Sequence, residues 1–131
     1  MDFGKILTEK EAQALNALTL AYVGDAVQSL YVRHKLATLR DFKAGELHKK
    51  TSGWVNAHQQ ANLVCNLFDR LTQDEQAIYL RGRNSKAHHK AKNQSGADYR
   101  KATGLEAVLG YLYLTGNTAR ICELLGDIYE D

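Results

Sequence analysis

Residues 20–27 read Leu-Ala-Tyr-Val-Gly-Asp-Ala-Val, and residues 103–114 read Thr-Gly-Leu-Glu-Ala-Val-Leu-Gly-Tyr-Leu-Tyr-Leu. Both are helix-forming, mostly apolar runs with a single acid inside, Asp25 in the first and Glu106 in the second. A carboxylate is costly to bury unless something pairs it. On a helix, Asp25 is flanked at three and four residues by Ala21, Tyr22, Gln28 and Ser29, and Glu106 by Ala102, Thr103, Leu109 and Gly110. These largely small or polar edges would let the two helices approach closely. Gly24 in mid-helix costs ~1 kcal/mol relative to alanine, and a close approach beside Asp25 is a candidate compensation.

Working outward, the rest of the chain reads as helical. There is no proline among the 131 residues, and strand-like alternation is nearly absent. The expectation is one all-α domain over residues 1–131. Thr8-Glu-Lys-Glu11 and Thr72-Gln-Asp-Glu75 have the spacing of capping boxes and should each open a helix. The second helix should run from about Leu15 or Leu18 to Leu36. Its apolar stripe is expected at Leu15, Leu18, Tyr22, Val23, Ala26, Val27, Leu30 and Tyr31. Further helices are expected over 43–50, 54–70, 72–80, 99–114 and 118–129. Leu109 and Tyr111 to Leu114 are apolar around most of their helix, which marks it for burial on several sides.

Charge is distributed unevenly. Residues 81–101 carry seven basic residues and one acid, leaving ten basic and fourteen acidic residues elsewhere. The stretch 82–97 has no apolar period and reads as a long basic loop, a length usually associated with function or disorder. Concentrated positive charge attracts polyanions. The candidate polyanion-contacting residues are Arg81, Arg83, Lys86, Lys90 and Lys92, with a weaker patch at His48, Lys49 and Lys50. The ordinary alternative for a lysine-rich loop is solubility.

Other features exclude more than they assign. Cys65 and Cys122 are too few for a disulfide framework and read as small core residues, consistent with a reducing cytosol. No apolar run approaches the ~20 residues of a membrane span, and no signal-peptide pattern opens the chain. A cytoplasmic protein with no membrane partner is expected. The adjacent His88 and His89 are poorly spaced for two metal ligands on one helix face, and His34 and His58 read as surface residues. A lone acid on an amphipathic helix ordinarily faces water, so Asp25 and Glu106 rest on their pairing. If paired, a hard cation that takes oxygen ligands and sits against phosphates is their cheapest common partner.

Residues 20–27 resemble the signature helix of the ribonuclease III family, and residues 103–114 resemble its second acidic helix, in the same order and separation. Leu47-His-Lys-Lys-Thr51, Ala57-His-Gln-Gln-Ala61 and Arg81-Gly-Arg-Asn84 also resemble the short bacterial branch, Mini-ribonuclease III, which lacks a double-stranded-RNA-binding domain. The resemblance spans about Leu15 to Leu114. It implies a ribonuclease III-like helical bundle acting as a homodimeric endonuclease on double-stranded RNA, with Asp25 and Glu106 as catalytic and metal-binding residues. It further implies Mg2+, for which Mn2+ may substitute, products ending in 5′-phosphate and 3′-hydroxyl, and the precursor of 23S ribosomal RNA as substrate. Standard members carry further acids where this chain has Leu18, Ala21 and Thr103, a thinning that the short branch resembles. The alternative is a non-catalytic RNA-binding or ribosome-associated module of the same fold. A third reading, a helical protein–protein adaptor, fits the concentrated basic charge less well.

Overall fold

The computed structural model describes residues 3–39, 41, 43–47, 49, 67–85 and 96–129. Five helices organise them: α1 (Glu9–Gln13), α2 (Ala17–Leu39), α3 (Gln73–Arg83), α4 (Gly96–Leu114) and α5 (Thr118–Tyr129). Residues 44–47 and 49 are helical as well, and Phe68–Arg70 forms a single 3-10 turn. No strand occurs among the described residues, so the all-α expectation holds.

The helix starts follow from local chemistry. At Thr8 the hydroxyl accepts from the Glu11 amide at 3.1 Å, and the Glu11 carboxylate accepts from the Thr8 amide at 3.0 Å. Thr72 and Glu75 repeat the exchange at 3.1 and 2.9 Å. Each box satisfies two amides that a helix start leaves without partners. The bounds expected for a loop over 82–97 are corrected at both ends: Gly82 and Arg83 complete α3, and Gly96 already belongs to α4. Residues 86–95 lie outside the described residues, as do 54–66 of the expected helix at 54–70, whose end is the 3-10 turn.

α4 is the centre of the bundle. Ala102–Leu105 and Ala107–Leu112 are all buried, and only Glu106 interrupts the run. α2 packs along one side and α3 along another. α5 closes the base with Ile121, Leu124, Leu125 and Ile128, a stripe at helical spacing. Cys122 falls between the inward positions of that stripe and is exposed, not the core residue expected from sequence.

A second correction concerns α2. Its buried face is Ala17, Leu20, Ala21, Gly24, Gln28, Val32 and Leu36. The stripe read from sequence straddles the edge and the outside: Leu15, Val27 and Tyr31 are partly buried, whereas Tyr22 is 81% and Leu30 56% exposed. The reason is steric. The helix turns Ala21 and Gly24 toward the crossing with α4, and the face they fix leaves Tyr22 and Leu30 outward.

Candidate active site

The site is built at the crossing of α2 and α4. A Cβ on Gly24 would lie 1.7 Å from the carbonyl oxygen of Glu106, and a Cβ on Gly110 would lie 1.8 Å from the carbonyl oxygen of Leu20. No side chain fits at either place, so the two backbones touch. The helix-propensity cost of Gly24 is thus offset by the close approach that the sequence suggested.

The crossing brings the two acids together. Asp25 follows Gly24 directly, and Glu106 supplies the carbonyl that Gly24 faces. The Asp25 side chain is exposed and Glu106 is half-buried, so the pair sits where the helix interface opens to solvent. Burial, a hydrogen bond with the Asp25 side chain and the charge of Asp25 push the Glu106 carboxyl up to about 9. Two like charges at one place resist joint ionisation, and an opposite charge relieves both. A divalent cation therefore fits this donor set, with Asp25 and Glu106 as the residues that would hold it. Among the described residues no group of three or more His, Cys, Asp and Glu side chains gathers as a metal cage.

The neighbouring positions are closed. Ala21 and Thr103 are buried, and the Thr103 hydroxyl donates to the Tyr99 carbonyl at 2.9 Å. Leu18 is half-buried. The acid set around the crossing is thinned at these three positions by residues already engaged in packing or in the helix backbone.

A family model described as the ribonuclease III domain matches residues 18–117, which include both acids. The chain belongs to the ribonuclease III family. Relatives within the family include a Mini-ribonuclease 3 of Enterococcus faecalis, 42% identical over 118 residues, covering 88% of this chain and 89% of the relative. A Mini-ribonuclease 3 of Staphylococcus aureus is 40% identical over 122 residues, covering 92% and 91% of the two chains. A Mini-ribonuclease 3 of Thermoanaerobacter is 41% identical over 121 residues, covering 92% and 85%. The resemblance to the short branch is thereby established. A crystal structure of a Fusobacterium nucleatum protein has a TM-score of 0.83, covers 91% of this chain and 97% of its own, and is 24% identical. It shows the same fold.

The basic candidates are placed unevenly. Arg81 and Arg83 occupy the last turn of α3, where cations oppose the negative end of the helix dipole. The Arg81 guanidinium donates to the Gln13 carbonyl at 2.9 Å and to the Leu15 carbonyl at 2.6 Å, tying α3 to the α1–α2 turn. Arg83 donates to the Asn84 side chain at 3.2 Å. Lys49 is exposed. His48, Lys50, Lys86, Lys90 and Lys92 lie outside the described residues, as do His58, His88, His89 and Cys65.

One polar cluster escaped the sequence reading. Glu75, 4% exposed, accepts two hydrogen bonds from the Arg120 guanidinium, at 2.8 and 3.0 Å. Arg120 also donates to the Arg70 carbonyl at 3.0 Å. This cluster joins α3, the 3-10 turn and α5. Glu75 was visible as a capping residue, but its partner lies 45 positions away and has no local signature.

Proposed function

We propose that this protein is a divalent-cation-dependent endoribonuclease that hydrolyses double-stranded RNA, within the ribonuclease III chemistry of its family. The convergence of Asp25 and Glu106 at the α2–α4 crossing carries the reading. Asp25 and Glu106 would hold the cation, Mg2+ or in its place Mn2+. When bound, the ion neutralises charge on the phosphate and activates water for attack. As a ligand Glu106 would be ionised, because ligand carboxylates bind in the deprotonated form. Hydrolysis is an in-line attack of water on phosphorus that leaves a 5′-phosphate and a 3′-hydroxyl. No side chain forms a covalent bond to the substrate. The paired ends of the 23S ribosomal RNA precursor are the proposed substrate, met in the cytoplasm.

Duplex RNA is gripped by the catalytic domain itself. Arg83, Lys86, Lys90 and Lys92 offer phosphate contacts, with Lys49 and its neighbours His48 and Lys50 as a second patch. Arg81 spends its guanidinium on the α1–α2 turn and anchors the basic end of α3. Such contacts read the shape and phosphates of an A-form helix. A homodimer, with one site per subunit and each cutting one strand, is supported by the outward apolar side chains of α2, Tyr22 and Leu30.

The test is incubation with a long perfect RNA duplex, with Mg2+ and with EDTA. Wild-type protein is expected to cleave only with the metal. Asp25→Asn and Glu106→Gln are each expected to lower the rate by a factor of about 10² or more, while circular dichroism and duplex binding stay near wild type. Strong residual cleavage by either variant would move the chemistry elsewhere. Duplex binding without cleavage would favour the RNA-binding module, a reading that the packed residues Ala21 and Thr103 keep in play.

A further inference from the structure

The same crossing that joins the acids also fixes how far apart they stand. Gly24 and Gly110 face each other's helices reciprocally. A Cβ on Gly24 would meet the Glu106 carbonyl oxygen at 1.7 Å, the Glu106 carbonyl carbon at 2.6 Å and the Gly110 nitrogen at 2.9 Å. A Cβ on Gly110 would meet the Leu20 carbonyl oxygen at 1.8 Å, the Leu20 carbonyl carbon at 2.7 Å and the Gly24 nitrogen at 3.1 Å. All six obstructing atoms are backbone, so no rotamer change makes room. A single methyl at either position forces the helices apart by more than about 1 Å, since interaxial distance follows the side chains at the contact. Asp25 is adjacent to one glycine, and Glu106 lies one turn before the other. Any such separation passes directly into the distance between their carboxylates.

We propose that Gly24 and Gly110 are positioning residues that set the gap between Asp25 and Glu106 to suit a small divalent cation and so select ions by size. Mg2+ takes oxygen ligands at about 2.0–2.1 Å and Ca2+ at about 2.3–2.6 Å, and the smaller ion is the less tolerant of a widened site. The inference rests on the reading of the two acids as cation ligands. The glycines touch neither ion nor RNA. They act through the two helices.

The experiment measures binding without RNA. Mn2+ is titrated into the purified protein by electron paramagnetic resonance, then displaced by Mg2+ or by Ca2+. Gly110→Ala and Gly24→Ala are compared with wild type and with Leu124→Ala, which removes a fully buried side chain on α5 away from the crossing. Either glycine variant is expected to lose Mg2+ affinity relative to Ca2+ by about tenfold. Leu124→Ala is expected to lower the melting temperature while keeping the wild-type Mg2+ to Ca2+ ratio. Asp25→Glu placed in Gly110→Ala, lengthening one carboxylate by a methylene, should recover part of the Mg2+ preference. A folded glycine variant with the wild-type ratio overturns the proposal. So does failure of both glycine variants to fold, which would make the glycines residues of the fold alone. If wild type and Asp25→Asn bind Mn2+ alike, the cation-ligand reading fails instead, and the spacing argument falls with it.

Discussion

Glu106 titrates against its surroundings. Burial and the neighbouring Asp25 carboxylate both oppose its ionisation, lifting the group from 4.5 to about 9. Below pH 4.5 the carboxyl is protonated in folded and unfolded chains alike. Between there and about 9 the unfolded chain sheds the proton while the folded chain keeps it, so stability falls as pH rises. Above about 9 the loss is complete. Thermal melts of metal-free protein in EDTA, from acid to alkaline buffer, should show this slope as a difference between wild type and Glu106→Gln. The variant lacks the titrating group and should keep its stability better as pH rises. Identical pH profiles would mean that Glu106 ionises freely. Both acids were legible in the sequence as singletons in apolar runs. Their contact was not, because it depends on a helix crossing between positions 81 residues apart.

Among the helices, the joint between α3 and α5 rests on Glu75 and Arg120. Burial alone would raise the Glu75 carboxyl. The hydrogen bonds and charge of Arg120, together with the Thr72 amide, outweigh it and hold the group below its ordinary value. The stabilisation is therefore present above the ordinary carboxylate range and is lost as pH falls through the lowered value. Arg120→Ala should cost about 3 kcal/mol by leaving the buried carboxylate unpaired, read as a lower urea midpoint at neutral pH. The cost should shrink in acid. A midpoint unchanged at neutral pH would make the pair a bystander. Element positions were read well where the determinants are local: the boxes at Thr8 and Thr72, and the helix over 118–129. The inward face of α2 was misread because hydrophobicity spreads around that helix. What decides its face is the bare backbone at Gly24, and a composition count gives a glycine no weight.

For the whole molecule, two surfaces carry the proposed partners. Tyr22 and Leu30 lie exposed on one long helix, two large apolar side chains that the proposed subunit contact would cover. Tyr22→Glu with Leu30→Glu should shift the protein from dimer to monomer in sedimentation velocity while circular dichroism stays unchanged. A double variant that sediments as wild type would place the subunit contact elsewhere. The basic segment makes a separate prediction. Replacing Lys86, Lys90 and Lys92 by Gln should weaken duplex binding and flatten the logarithmic salt dependence by roughly 2–3 units, as fewer counterions are released. Fluorescence anisotropy across a salt series checks it, and an unchanged slope would remove these lysines from the RNA surface. The concentration of charge was legible in composition. That Arg81 is tied to the backbone was not, because its partners are carbonyls 66 and 68 residues upstream.

The reciprocal contact of Gly24 and Gly110 has a consequence for inheritance. Every missense change of a glycine codon adds at least one carbon to the residue, and at these two positions the smallest addition already collides with main-chain atoms. Neither codon has a conservative neighbour. A population of genes encoding this chain should therefore purge new alleles at these two codons, including alanine alleles that most helices would welcome.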